Sequence, residues 1–395
     1  MFLNDIKYNW IGDIPKNWEV KRVKNLFYLK KEVSENPEQE QVLSLTMNGI
    51  IKRDVSSNEG QLPDTYKGYT KIYPDDIVMN PMDLKSGWVD RSKYHGIISP
   101  SYYVLNKLYN DLDIGFFNYQ LQRHYKERIF FSFGQGVSYD YRWGLGRETI
   151  LNFPIIVPPL EIQTQIVSFL DTKTQKIDEL IEKTEQKIEL LKEKRTSLIN
   201  HCVTKGLNPN VEMKDSGVEW IGEIPSHWTK SKLKFVSEIV TGNTPPTKDI
   251  DNYEGGEHLW VKPNEIKGLK PTNDTNQKLT EKGKSLSRVL PPFSVLVNGI
   301  GRIGEFGHSE KYVSTNQQIN SIVYNHKVDK RFGLFHTSMM KEGFLSNSEK
   351  VVVPILNKTK QGNLEFVLPP TSEQTQIVEY LDEQTQKIES TIEKE

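Results

Sequence analysis

Cysteine is nearly missing from this chain of 395 residues. The lone Cys202 excludes an internal disulfide and a cysteine-rich zinc site. Long apolar runs are missing too. No stretch reaches the roughly 18 apolar residues that a membrane-spanning helix needs. The first residues, Met1-Phe2-Leu3-Asn4-Asp5-Ile6-Lys7, lack the apolar core and small-residue cleavage site of a secretory signal. A cytoplasmic protein with no membrane partner is expected. An excess of one charge sign is also absent: 51 Lys and Arg oppose 52 Asp and Glu, for a net charge of −1. Any nucleic-acid surface must therefore be a local patch. The histidines, at 95, 124, 201, 227, 258, 308, 326 and 336, fall in no metal-ligand spacing. They join no Ser–His–acid grouping, so neither a metal site nor a catalytic residue is expected.

Aromatics are plentiful, with 17 Tyr, 16 Phe and 7 Trp, which rules out a disordered chain. At roughly 100–200 residues per domain, the length suggests two or three domains. A repeat sets their arrangement. Trp10-Ile11-Gly12-Asp13-Ile14-Pro15-Lys16-Asn17-Trp18 returns as Trp220-Ile221-Gly222-Glu223-Ile224-Pro225-Ser226-His227-Trp228, an offset of 210. Pro158-Pro159 followed by Gln163-Thr164-Gln165-Ile166-Val167 returns as Pro369-Pro370 followed by Gln374-Thr375-Gln376-Ile377-Val378, an offset of 211. Asp171 and Thr174-Gln175-Lys176-Ile177 recur as Asp382 and Thr385-Gln386-Lys387-Ile388. Chance does not give several matches at nearly one offset. Between them, residues 44–157 and 260–367 share a hydrophobic rhythm and little identity. Two similar frames hold two dissimilar inserts, as in a two-fold-like scaffold with two specificities. A duplicated structural domain that has drifted is the plainer alternative.

Segments 159–204 and 371–395 read as helices. Proline suits a helix start, and after Pro158-Pro159 no Gly or Pro follows until Gly206. Ile166, Leu170, Ile177, Ile181, Ile188, Leu191 and Leu198 form an apolar stripe at helical spacing. A helix of about 45 residues is roughly 65 Å long and implies a coiled-coil partner. Ile377, Leu381 and Ile388 carry the stripe in the second copy, so the two helices are expected to pair. The first helix runs to about Thr204, whose counterpart lies past Glu395. Either the C-terminus is truncated or the central helix completes its stripe against another protein.

The inserts read as mixed α/β, with strands at 99–105, 155–157, 294–297 and 319–323 and a helix over 111–128. Several sequences there mimic catalytic motifs. Gly299-Ile300-Gly301-Arg302-Ile303-Gly304 matches G-x-G-x-x-G, but turn-like Glu305-Phe306-Gly307-His308-Ser309 follows where a dinucleotide site needs a helix. A Gly-rich hairpin with Arg302 at its tip is expected instead. Gly283-Lys284-Ser285 resembles the end of a P-loop, yet Lys278 stands where the first glycine must be. Asn80-Pro81-Met82-Asp83 lacks the second proline and the aromatic of an adenine methyltransferase loop and reads as a turn.

The positive signals concern DNA. Residues 135–147 interleave aromatics, glycines and arginines, and make Tyr139, Tyr141, Arg142 and Arg147 candidate contacts. Arginine bonds phosphate or reads guanine; core packing explains the neighbouring Trp143 equally well. Lys262 with Asn264, and Thr315, Asn316, Gln317 and Gln318, offer amides and donors that suit adenine, and Asn298 with Arg302 joins them. Ordinary strand-end hydrogen bonding is the alternative. Lys52 with Arg53, Arg91 with Lys93, and Lys358 with Lys360 are candidate phosphate clamps, against a solvated face.

Taken together, the chain resembles the DNA-specificity subunit of type I restriction–modification enzymes over essentially its whole length. The carriers are the doubled Trp-Ile-Gly-Asp/Glu-Ile-Pro-x-x-Trp entry, the doubled Pro-Pro-x-x-x-x-Gln-Thr-Gln-Ile-Val helix start, and Val353-Pro354-Ile355-Leu356-Asn357-Lys358. The resemblance implies two globular target-recognition domains in a pseudo-two-fold arrangement, separated by two long antiparallel coiled-coil helices. Residues 1–158 would be the first recognition domain, 159–205 the central spacer helix, 206–369 the second domain and 370–395 a shortened second helix. Each domain would read one half of a bipartite double-stranded DNA target. The helices would set the gap and dock two methyltransferase subunits that use S-adenosylmethionine to methylate adenine. Two motor–nuclease subunits, where present, would use ATP and Mg. No cofactor and no chemistry are implied in this chain itself. The rivals are a coiled-coil adaptor without DNA specificity and a stand-alone nucleic-acid-modifying enzyme.

Overall fold

One antiparallel ribbon opens and closes each insert. In the computed structural model, which describes residues 10–54, 63, 65–136, 143–349 and 353–395, the strand Glu19–Arg22 pairs with Pro154–Val157. Thr229–Lys232 pairs with Glu365–Leu368 in the same sense. The repeated sequence therefore forms the two ends of each frame. The chain divides into two compact units, Met1–Leu180 and Ile181–Glu395, and the division falls inside the long helix Leu160–Lys205.

The inserts share a topology that their residues do not advertise. The first holds a four-stranded antiparallel sheet in the order Phe27–Leu29, Tyr103–Lys107, Ile77–Met79, Val89–Arg91. The second holds Ser237–Thr241, Ile319–Tyr324, Val295–Asn298, Phe306–His308 in the corresponding order. Both sheets are covered on both faces, as the period of two requires. Ile77 and Met79 join Phe27, Phe117 and Phe130 on one side, while Val78 joins Leu43, Ile72 and Val104 on the other. Val295 and Val297 likewise face Phe332 and Phe366, and Leu296 faces Leu259, Val261 and Val313. Two-sided burial explains why these strands read as unbroken apolar runs.

A helix backs each sheet: Ile114–Lys126 in the first unit, capped by Asp113, and Lys330–Met339 in the second, capped by Asp329. Each carboxylate accepts two orphan N–H groups of its first turn, which contributes about 1 kcal/mol. The helix expected over 111–128 is thus present and shorter. Of the strand expected at 99–105, only Tyr103–Lys107 is extended, because Ser99 to Tyr102 closes a turn at Pro100.

The long helix Leu160–Lys205 has 46 residues, about 69 Å at 1.5 Å per residue, and stops at Gly206, whose φ of +74° suits glycine. Within the second unit its last turns bury Ile199, Cys202 and Val203 beside Ile377, Val378 and Leu381 of the closing helix Thr371–Ile392. Arg195 pairs with Glu389 at 2.7 Å and Lys187 with Glu395 at 2.5 Å, so these helices run antiparallel there. The stripe is only partly a seam. Ile166 packs on the core of the first unit and Leu170 is half-buried. Ile188 and Leu191 are half-buried and Ile388 is buried, whereas Ile177 and Ile181 are 55% and 52% exposed. The two helices thus pair over part of the stripe, as a shortened second helix requires. The closing helix lies against the long helix from about Lys187 onward, while Ile177, Leu180 and Ile181 before that contact are exposed. No helix among the described residues is long and apolar enough to cross a membrane.

Candidate nucleic-acid interface

In the second unit four loops meet at one edge, and strand pairing puts them there. His258–Val261 runs parallel to Val313–Thr315, with Val261 opposite Thr315. Both strands therefore end at the same edge, delivering Lys262-Pro263-Asn264 beside Asn316-Gln317-Gln318. Val295–Asn298 ends there too, since Asn298 opposes Ile319 and Gly299 N–H donates to Gln318 O at 2.8 Å. The Gly-rich segment that follows turns back into Phe306–His308, the expected hairpin. The fourth loop, Gly242 to Pro245, is held by Gly242 N–H to Ile319 O and Asn243 N–H to Thr315 O, at 3.0 and 2.9 Å.

Side chains then lock the loops to one another. Arg302 Nε lies 3.2 Å from Glu305 Oε2, and its Nη2 donates to Pro263 O at 3.4 Å. Glu305 is itself fixed by Asn298 Nδ2 at 3.1 Å. Lys262 donates to Gln277 at 2.7 Å and rests its ammonium 4.9 Å from the centre of the Trp260 ring. Thr244 donates to Gln317, and Asn316 bonds Gln318 at 3.0 Å. Asn243 receives Arg288 N–H at 3.0 Å and donates to Leu286 O at 2.7 Å. Gly242 has no room for a side chain: a Cβ there would lie 2.2 Å from Asn316 O and 2.3 Å from Thr315 O.

This geometry sorts the predicted residues. Arg302, Asn264 and Gln317 are exposed on the edge, with Lys262 and Gln318 half-buried beside them. Asn298 and Thr315 are corrections: at 0% and 1% exposure they cannot reach DNA. They close their strands with side chains turned inward, and Asn298 positions Glu305 instead. Asn316 is also buried and shapes its loop through Gln318. Lys358 is exposed, while Lys360 is occupied by Glu349 at 3.2 Å. The adjoining segment joins this edge through Leu356 N–H to Gly299 O at 2.8 Å.

In the first unit the hairpin Leu43–Thr46/Gly49–Lys52 carries Lys52, whose ammonium lies 5.3 Å from the Tyr94 ring centre. Asp90 anchors it by accepting Ile50 N–H at 3.0 Å. Gly49 is required by its φ of +101° and by the Asp90 carboxylate, 2.6 Å from where a Cβ would stand. Arg53 lies near Tyr69 and Tyr102, whose phenols are pushed above their ordinary range by burial. Arg91 stands 3.9 Å from Asp75, Lys93 is exposed, and Arg147 opens the short helix Arg147–Asn152. Tyr139, Tyr141 and Arg142 lie outside the described residues. Sequence reasoning missed Asn243, Thr244, Glu305 and Asp90. The one signal in reach was Gly242 next to Asn243-Thr244-Pro245-Pro246, a turn-forming run.

Burial neutralises other groups that tempt as catalysts. The imidazoles of His124 and His336 are pushed down to about 3 by desolvation, and the Cys202 thiol is pushed up to about 11 for the same reason. No cluster of three or more His, Cys, Asp or Glu able to hold a metal ion occurs among the described residues.

A duplicated frame that presents a different loop edge from each copy defines a class of modular recognition scaffold. The particular family follows from comparison with known proteins. Residues 15–190 and 225–395 each match the type I restriction modification DNA specificity domain, and the chain belongs to that family. It is 25% identical to the type I restriction enzyme MjaVIII specificity subunit of Methanocaldococcus jannaschii, over 93% of this chain and 86% of that protein. It is 22% identical to the putative type I restriction enzyme MjaX specificity subunit of the same organism, over 95% and 89%. The fold is shared with a chain from a type I R-M system solved for its complex assembly and conformational transition: TM-score 0.68, 14% identity, 96% and 93% covered. It is shared as well with the HsdS subunit from Thermoanaerobacter tengcongensis: TM-score 0.54, 15% identity, 97% and 92% covered.

Proposed function

We propose that this chain is the DNA-reading subunit of a type I restriction–modification complex, in which each insert reads one half of a bipartite target. The observation that carries the reading is the doubled frame, whose second copy gathers Lys262, Asn264, Arg302, Gln317 and Gln318 on one edge from three loops held by a fourth. Arg302 and Gln317 supply the planar donors and acceptors that read base edges in the major groove. Lys52, Arg53, Arg91, Lys93, Arg147 and Lys358 supply phosphate contacts that set register. The long helix spaces the two readers and, with the closing helix, docks two methyltransferase subunits. S-adenosylmethionine belongs to those subunits, and ATP and Mg to motor–nuclease subunits where the system has them. The chain contributes recognition, and the methyl transfer is its partners' chemistry.

The test is modular. Replacing residues 19–157, between the ribbon's flanks, with the insert of another family member should change one half of the methylated target and leave the other untouched. A change in both halves would overturn the two-reader scheme.

A further inference from the structure

The repeated Gln-Thr-Gln sequence has a physical job that the recognition edge does not absorb. Its first glutamine is buried in both copies, Gln163 at 2% exposure and Gln374 at 0%. Gln163 Oε1 accepts the backbone N–H of Asp113 at 3.0 Å, and its Nε2 donates to Pro158 O at 2.7 Å. Gln374 does the same with Asp329 N–H at 2.7 Å and Pro369 O at 2.9 Å, and adds Lys327 O at 3.0 Å. Asp113 and Asp329 are the caps of the helices that back the two recognition sheets. Each amide therefore staples the helix behind a recognition sheet to the first turn of the helix that leaves its domain. A second tie lies two turns on, from the other repeated residue. Asp171 accepts the Tyr119 hydroxyl at 2.6 Å, and Asp382 pairs with Arg331. The acceptor stands at the same repeat position in both copies, while the donor's chemistry and its place on the backing helix differ. The join is tight as well as bonded: a Cβ on Gly115 would lie 2.9 Å from Val167 Cγ1.

We infer that Gln163 and Gln374 are positioning residues that fix the angle at which each recognition domain leaves its helix, and through it the number of unread base pairs between the half-sites. The inference rests on the bipartite-reader function. A buried amide suits this task better than an apolar side chain. Its bonds are directional, and it satisfies backbone groups that include the buried carbonyls of Pro158 and Pro369. Neither glutamine approaches the recognition loops, so the bases preferred within each half-site are not its concern.

The experiment uses the full chain assembled with its methyltransferase subunit. The DNA duplexes carry the wild-type half-sites separated by the native gap, one base pair less, or one more. Gln163→Met and Gln374→Met remove the bonds at nearly constant length. Each is expected to lower the ratio of methylation rates on native to shifted gaps about tenfold, with the preferred bases in both halves unchanged. Gln163→Glu, which keeps the acceptor and loses the donor, should fall between Gln163→Met and wild type. Tyr119→Phe, which loses the exposed hydroxyl tie to Asp171 of the long helix, should relax the gap in the same direction by less. An unchanged ratio in variants that unfold at the wild-type temperature would overturn the inference, and so would a change in the preferred bases. Should the methionine variants fail to assemble, Tyr119→Phe decides: an unchanged ratio overturns the inference. A wild-type complex that methylates no gapped target at all would instead refute the bipartite-reader function, a distinguishable result.

Discussion

Replacing Arg302 with alanine separates the recognition edge from the fold that carries it. The guanidinium is 60% exposed and meets one carboxylate, Glu305, and one carbonyl, that of Pro263. An exposed pair of this kind contributes about 0–1 kcal/mol to stability, so the unfolding midpoint should barely move. Glu305 keeps its bond to Asn298 and is not left bare. On DNA the loss is larger. A bidentate contact to a base is worth about 1–3 kcal/mol, which is about fivefold to 150-fold in affinity. The assay is binding and methylation by the assembled complex on the native target and on targets with single changes in each half. The expected result is a loss confined to one half-site, with base preference relaxed at one position there. Arg302→Lys should fail to restore that preference, because an ammonium cannot reproduce the fork. If Arg302 held a phosphate instead, binding would weaken on every sequence and the salt slope would fall by about 0.9. A folded Arg302→Ala complex with unchanged affinity and unchanged preference would refute the placement of DNA on this edge.

Other outcomes follow from the same geometry. Gly242→Ala puts a methyl group 2.2 Å from Asn316 O, so the 316–318 loop must shift; methylation should become weaker or less selective at that half-site alone, and an intact motif at full rate would contradict the packing. Acid should destabilise each unit. His124 and His336 stay neutral when folded, at about 3, but protonate near 6.5 when unfolded. The unfolded state therefore binds more protons between those values, and stability falls as pH drops from 6.5 toward 3. At pH 5 each histidine should cost about 2 kcal/mol. His336→Gln should flatten the acid side of the melting curve for the second unit, and an unflattened curve would show that the residue is charged or exposed.

Much of the frame was legible in the sequence because it is written twice. The doubled entry and helix start flank ribbons whose openers, Glu19 and Thr229, stand at the first offset and whose closers, Pro154 and Glu365, stand at the second. The strands at 155–157 and 319–323 and the helix at 111–128 were visible as apolar runs bounded by turn residues. The recognition edge was less legible, for a definite reason. Composition suggests which residues suit DNA but not which way a strand-end side chain points. Asn298 and Thr315 look like donors in sequence and are buried, while Glu305 looks like a repelling acid and is the brace for Arg302. Non-local pairing decides these orientations: the parallel partnership of His258–Val261 with Val313–Thr315 joins residues more than fifty positions apart. The stripe was legible only as a face. Helical periodicity reports that Ile177 and Ile181 share a face, not that anything in this chain covers it.

The measurement that tests the central claim most directly is a map of N6-methyladenine. The chain is co-expressed with its cognate methyltransferase subunit in cells lacking other adenine methylation, and the genome is read by long-read sequencing. The predicted result is one bipartite motif, methylated in both halves across a fixed gap and absent when this chain is omitted. A methylated motif that persists without the chain, or no motif when the two subunits demonstrably assemble, would contradict the account.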